Sequence, residues 1–128
     1  MRKLNNMKRY IKSSSNIVFH SVKTYSSYED YCYSEMQSYY DEQLTDEDYE
    51  DEFSEFNSKF SDKFGDINKL ESVVTAYIGF VPFAFVLVDG NLYQIGYDRG
   101  TTFTEVTKSW LNSMGCITSL DEIYALIR

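Results

Sequence analysis

Residues 72–97 read SVVTAYIGFVPFAFVLVDGNLYQIGY. Within them Val73 to Val88 carries no charge and approaches the lower length limit of a membrane-spanning helix. Its residue types oppose that reading. Gly79 and Pro82 interrupt a helix, and the many β-branched and aromatic side chains favour extended chain. The run is expected to form buried strands joined by a bend, at Ser72–Phe80 and Phe83–Val88. Asp89-Gly90 is a two-residue hairpin signal, because both residue types tolerate the positive φ of a tight hairpin turn. It leads into a third strand at Asn91–Tyr97, so an antiparallel meander follows.

Helical signals surround this meander. On its N-terminal side, Thr45-x-x-Asp48 has the form of a capping box, and Tyr49, Phe53, Phe56, Phe60 and Phe64 recur at helical spacing up to the stop at Gly65. Further back, Ser26-x-x-Glu29 predicts another helix, with Tyr25, Tyr28, Cys32, Met36 and Tyr39 on one stripe and Tyr31 and Tyr33 off it. Ile17 to Val22 suits an edge strand. On the C-terminal side, Thr102-x-x-Glu105 predicts a helix bearing Phe103, Val106, Trp110, Leu111 and Met114, and Ser119-x-x-Glu122 predicts a short last one. The expected fold is therefore α+β, an antiparallel three- to four-stranded sheet packed with about four helices on one or both faces. Residues 16–128 form one domain, preceded by a basic arm at 1–15, with Met7 as an alternative start.

The 128 residues suffice for one core. Twelve Tyr and nine Phe supply the apolar area that folding needs, despite a net charge of -8. That charge is polarised: Arg2, Lys3, Lys8, Arg9, Lys12 and Lys23 precede the first acid, and all 20 acids lie from Glu29 onward. Such a body repels free nucleic acid and anionic membranes and favours a basic protein partner. Cys32 and Cys116 are too few for a disulfide framework and lack a metal-ligand spacing, which suits a reducing cytoplasm. Polar Ser13 to Asn16 stand where a secretory signal would be apolar.

Between Lys23 and Lys59 there is no Lys or Arg, while twelve acids alternate with seven tyrosines. Asp46, Glu47, Asp48, Glu50, Asp51, Glu52 and Glu55 set seven carboxylates along about 14 Å of helix axis, or one per ~2 Å. Duplex DNA carries about one charge per 1.7 Å. Helical phase places Glu47, Asp48, Asp51, Glu52 and Glu55 opposite the Phe stripe. Repulsion among them costs a few tenths of a kcal/mol per pair, offset only in part by the helix dipole. One reading is a solvated face that keeps an aromatic-rich protein soluble. The other is nucleic-acid mimicry, with carboxylates replacing phosphates and exposed tyrosines replacing planar bases. The residues assigned to partner binding are Asp30, Tyr31, Tyr33, Glu47, Asp48, Asp51, Glu52 and Glu55, with Tyr40 a further exposed ring.

The opening Met7-Lys-Arg-Tyr-Ile-Lys-Ser-Ser resembles the starts of small phage and mobile-element proteins of Gram-positive bacteria. The acidic, aromatic-rich body is similar in kind to anti-CRISPR and other DNA-mimic inhibitors. The resemblance implies an inhibitor of a CRISPR effector or another nuclease, working in the host cytoplasm. Such inhibitors share no common signature, so it assigns no residue. An immunity protein or antitoxin that neutralises a basic toxin would use the same electrostatics.

Enzyme readings have less to stand on. His20 is the sole histidine, within a strand, and no Ser-His-Asp or Cys-His pattern accompanies it. Gly90, Gly96 and Gly100 are turn glycines and do not form a phosphate loop. Asp46-x-Asp48-x-Glu50 opens like a calcium loop, but Asp51 replaces the required glycine and Asn57 the required Glu. No catalytic residue, metal or cofactor is assigned. Trp110 and the two cysteines are expected to serve the core.

Overall fold

The computed structural model describes residues 17–36 and 45–128. The expected arm at 1–15, together with Tyr39 and Tyr40, lies outside them. Strands β1 (Phe19–Tyr25), β2 (Leu70–Ile78), β3 (Val81–Val88), β4 (Asn91–Gly96) and β5 (Thr102–Glu105) form one antiparallel meander in the order β1-β2-β3-β4-β5. The described residues thus give a five-stranded sheet where three to four strands were expected, with β1 at an edge.

The uncharged run follows from burial on both sides of the sheet, which removes the usual polar alternation. Val74, Ala76, Ile78, Phe85 and Leu87 pack into one core, and Val73, Val86 and Val88 into the other. Asp89 (φ 50°) and Gly90 (φ 80°) close the β3–β4 hairpin in the left-handed region, where Asp and Gly are tolerated. Against the expected Ser72–Phe80 and Phe83–Val88, β2 ends two residues earlier and β3 begins two residues earlier, and Gly79-Phe80 forms their turn with the Phe80 side chain fully exposed.

One face is covered by α1 (Tyr28–Tyr31), its π-helical continuation Cys32–Met36, and α2 (Asp46–Phe64). The other is covered by α3 (Lys108–Ser113) and α4 (Leu120–Ile127), through Leu111, Cys116 and Ile123 with Trp110 alongside. The α2 stripe packs as its spacing predicts. Tyr49, Phe56 and Phe60 are buried, Phe53 and Phe64 flank them, and Phe56 stacks on Tyr28 with centroids 3.7 Å apart. Each such ring contributes about 1.5–3 kcal/mol by leaving water.

Two helix starts differ from expectation. The α1 N-cap is Ser27, whose Oγ accepts the Asp30 N–H at 3.1 Å, whereas Ser26 donates to the Asp30 carboxylate at 2.7 Å. Tyr25 accordingly ends β1 and does not begin the helix. Thr102–Glu105 is a strand, because its β-branched and aromatic residues complete the open edge of β4 through the pairs Tyr93–Glu105 and Ile95–Phe103. The α3 helix starts later, at N-cap Thr107, which accepts the Trp110 N–H at 3.2 Å. The last helix is capped as expected, by Ser119 on the Glu122 N–H.

The outer edge of β1 is protected where it begins. Ile17 bridges Cys116 in parallel, and the Phe19 N–H donates to Thr118 Oγ1 at 2.9 Å. Farther along, a bulge between His20 and Lys23 breaks the flat edge, a common defence against edge-to-edge pairing. Among the described residues no helix is long and apolar enough to cross a membrane.

Candidate partner-binding surface

The acidic surface is built on α2, and its start is fixed by the capping box. The Asp48 carboxylate accepts from the Thr45 N–H at 3.0 Å and the Thr45 hydroxyl at 2.9 Å, while Thr45 Oγ1 accepts the Asp48 N–H at 3.2 Å. These bonds, the backbone one foremost, hold the Asp48 carboxyl below the usual carboxylate range. Asp48 is therefore a structural acid as well as an exposed one.

Glu52 departs from the expected opposite face. It comes three residues after Tyr49 and four before Phe56, which brings it to the flank of the aromatic stripe. There it is half-buried and accepts the Tyr28 hydroxyl at 2.6 Å. Glu55 stays exposed but reaches the β4–β5 turn, where it accepts the Thr101 N–H at 3.2 Å. Gly100 (φ 104°) permits this approach, since a Cβ there would come within 3.0 Å of Glu55 Oε1.

Of the residues assigned on α1, Asp30 is exposed and accepts from Ser26, whereas Tyr31 is half-buried and not the open ring that was expected. Its ring packs on Tyr25 and Tyr28 at centroid distances of 5.9 and 5.5 Å. Tyr33 is 50% exposed and lies 4.5 Å from the Tyr49 ring, so it joins the α1 and α2 surfaces. Glu47 and Asp51 are exposed, and neither carboxylate hydrogen bonds to another described residue. Asp46 and Glu50 share that condition. Those two were counted in the charge run but not assigned to the site. Their early position at the solvated start of α2 was the available signal.

No family model, curated protein or solved structure matches this chain.

Beneath the acids, burial keeps polar groups unreactive. Desolvation pushes the Cys32 thiol up to about 12, so it is not a nucleophile near neutral pH. Tyr28 and Tyr31 are raised above the ordinary phenol range, burial first and Tyr97 next. Tyr25, donating to Glu35, is pushed up to about 12 by burial and then by that carboxylate. His20 is exposed, with Nδ1 on the Ser21 hydroxyl and Nε2 on the Gly79 carbonyl, both at 2.8 Å. Asp46, Asp48 and Glu50, which open like a calcium loop, lie within α2. No group of three or more His, Cys, Asp or Glu among the described residues is placed to hold a metal.

Proposed function

We propose that this chain is a binding and inhibitor protein whose acidic helical surface occupies the basic groove of a nucleic-acid-handling protein, of the kind a CRISPR effector or nuclease presents. The observation that carries this reading is the set Asp46, Glu47, Glu50 and Asp51. These four exposed carboxylates crowd the first two turns of one helix, in a stretch without Lys or Arg, and make no hydrogen bond to another described residue. A groove already arranged for a line of phosphates offers them Lys and Arg at matching spacing. Asp48, Glu52 and Glu55 serve the fold and add negative field behind the front row. Tyr33, half out of the surface beside them, supplies a planar group for stacking.

The variant that isolates this surface is Asp46→Asn, Glu47→Gln, Glu50→Gln and Asp51→Asn, which leaves the capping box and both tertiary carboxylate contacts in place. Wild type and variant serve as baits in bacterial lysate. The proposal expects nucleases or other nucleic-acid-binding proteins on the wild type, displaced by added duplex oligonucleotide and absent from the variant. Recovery of the same proteins on both baits would make the acidic face solvated surface and nothing more.

A further inference from the structure

The β2–β3 turn carries a ring into solvent and holds it there. Gly79 (φ 64°) and the fully exposed Phe80 form its two-residue tip. The Gly79 N–H donates to the Val18 carbonyl at 3.0 Å, and the Gly79 carbonyl accepts from His20 Nε2 at 2.8 Å. A Cβ on Gly79 would come within 3.1 Å of Ile17, so the tip is clamped against the start of β1. An apolar ring presented on a fixed turn loses little freedom when it is covered, which suits it to a contact.

Beside this knob lies a hollow. On the face shared with α1 and α2 the sheet leaves an open cleft of about 660 Å³, floored by Thr75 and Ala84 and flanked by Tyr31 and Tyr97. Thr75 and Ala84 pair across the strands, so the floor is made of small side chains. The next pair toward the tip on the same face is Tyr77–Pro82, both exposed, with His20 stacked on Tyr77 at 5.7 Å. Pro82 thus stands two residues from Phe80 and two from Ala84. A two-fold axis through the Tyr77–Pro82 pair sets Phe80 of each copy over the Thr75–Ala84 row of the other. A knob and its hole at equal distances from one axis are what an isologous contact requires.

Charge selects the occupant. Residues 17–28 and 72–88, which supply the tip, the central pair and the floor, contain no Asp or Glu, although the chain carries a net charge of -8. Two copies repel each other least when they meet through this end, whereas a basic partner is drawn to α2 and gains no attraction here. The cleft border holds one charge of each sign, Glu35, which accepts the Tyr25 hydroxyl, and the exposed Lys23. A phenyl ring needs neither.

We propose that the protein forms a two-fold dimer through this end, with Phe80 of each copy seated in the tyrosine-flanked cleft of the other. One ring and one strand pair per copy fall short of the ~800 Å² per partner of a standard interface, so the dimer is weak and reversible, with a dissociation constant on the order of 0.1 mM. It stands independently of the partner surface on α2.

Sedimentation equilibrium of the full chain between about 0.01 and 1 mM reads the dimer directly. Wild type should approach twice the monomer mass at the upper end, and Phe80→Asp should stay monomeric throughout. Because Phe80 is fully exposed, circular dichroism should find the two equally folded. Raising ionic strength from about 0.05 to 0.5 M should strengthen dimerisation severalfold by screening the like net charges, the reverse of association through α2. Placement is read by oxidation. Pro82→Cys, at the axis, should cross-link two copies and Asp46→Cys, on α2, should not, while the buried Cys32 and Cys116 stay out of the reaction. A monomer at every concentration, a dimer indifferent to Phe80→Asp, masses that climb past the dimer, or cross-linking at Asp46→Cys in preference to Pro82→Cys would overturn the proposal. So would a monomer whose tip binds phosphatidylcholine vesicles or an unrelated protein, since Phe80 would then have another occupant.

Discussion

Glu52 and Asp51 are neighbours in sequence with different tasks. One turns to the flank of the aromatic stripe and accepts a tyrosine hydrogen bond; the other stays in water. The Tyr28–Glu52 bond can be weighed because the Tyr28 ring stays stacked on Phe56 when the hydroxyl is removed. Tyr28→Phe should cost about 1–2 kcal/mol in urea unfolding, and in a double-mutant cycle with Glu52→Gln most of that should appear as coupling. Independent, additive losses would show that the bond contributes nothing of its own. Tyr25 gives a pH signature. Its pKa is raised from 10.0 to about 12 in the fold, so its stabilisation is fully present below 10 and is lost as pH rises towards 12. Wild type should lose stability across that window, and Tyr25→Phe should lose less, as read from unfolding midpoints at successive pH values. Equal slopes would remove Tyr25 from the account.

At the scale of elements, the two helical layers differ in how they are held. The α1–α2 layer rests on rings: Tyr28 on Phe56, Phe60 on Phe103, and Phe64 on both Tyr93 and Phe103. The α3–α4 layer rests on Leu111, Ile123 and Trp110 against Phe85. Phe56 is wholly buried at the centre of the first layer, so Phe56→Ala should destabilise by about 3–5 kcal/mol in denaturant melts. A loss below ~1 kcal/mol would mean that this layer is not part of the cooperative core. The capping boxes explain why some helix starts were legible and others were not. Thr45-x-x-Asp48 and Ser119-x-x-Glu122 begin helices because their chain has no competing partner. Thr102-x-x-Glu105 has one, since the ladder to β4 satisfies its backbone in extended form.

At the scale of the whole molecule, charge is segregated: six bases before Glu29 and all 20 acids from Glu29 onward. Association through the acidic pole should be fast and strongly screened. Raising ionic strength from about 0.05 to 0.5 M should lower the on-rate of the captured partner by roughly 10- to 100-fold. The α2 variant with four neutralised acids should show a flatter dependence in stopped-flow measurements. An on-rate indifferent to salt in wild type would mean that recognition resides outside the acidic face.

Much of the fold was written in local pattern. Val73–Val88 without charge specifies strands buried on both sides, Asp89-Gly90 specifies the hairpin, and the Phe spacing of 49–64 specifies α2 and its inward face, because each depends on periodicity or on a turn that two residues can make. The density of acids between Lys23 and Lys59 was equally plain. Tertiary structure alone decided which of those acids are free. Helical phase sorts side chains about one axis, but only packing brings Tyr28 to Glu52 and Thr101 to Glu55 across 24 and 46 residues of sequence. The fifth strand was likewise hidden, since Thr102–Glu105 carries helix and strand signals alike and only the ladder to β4 settles its competing hydrogen bonds.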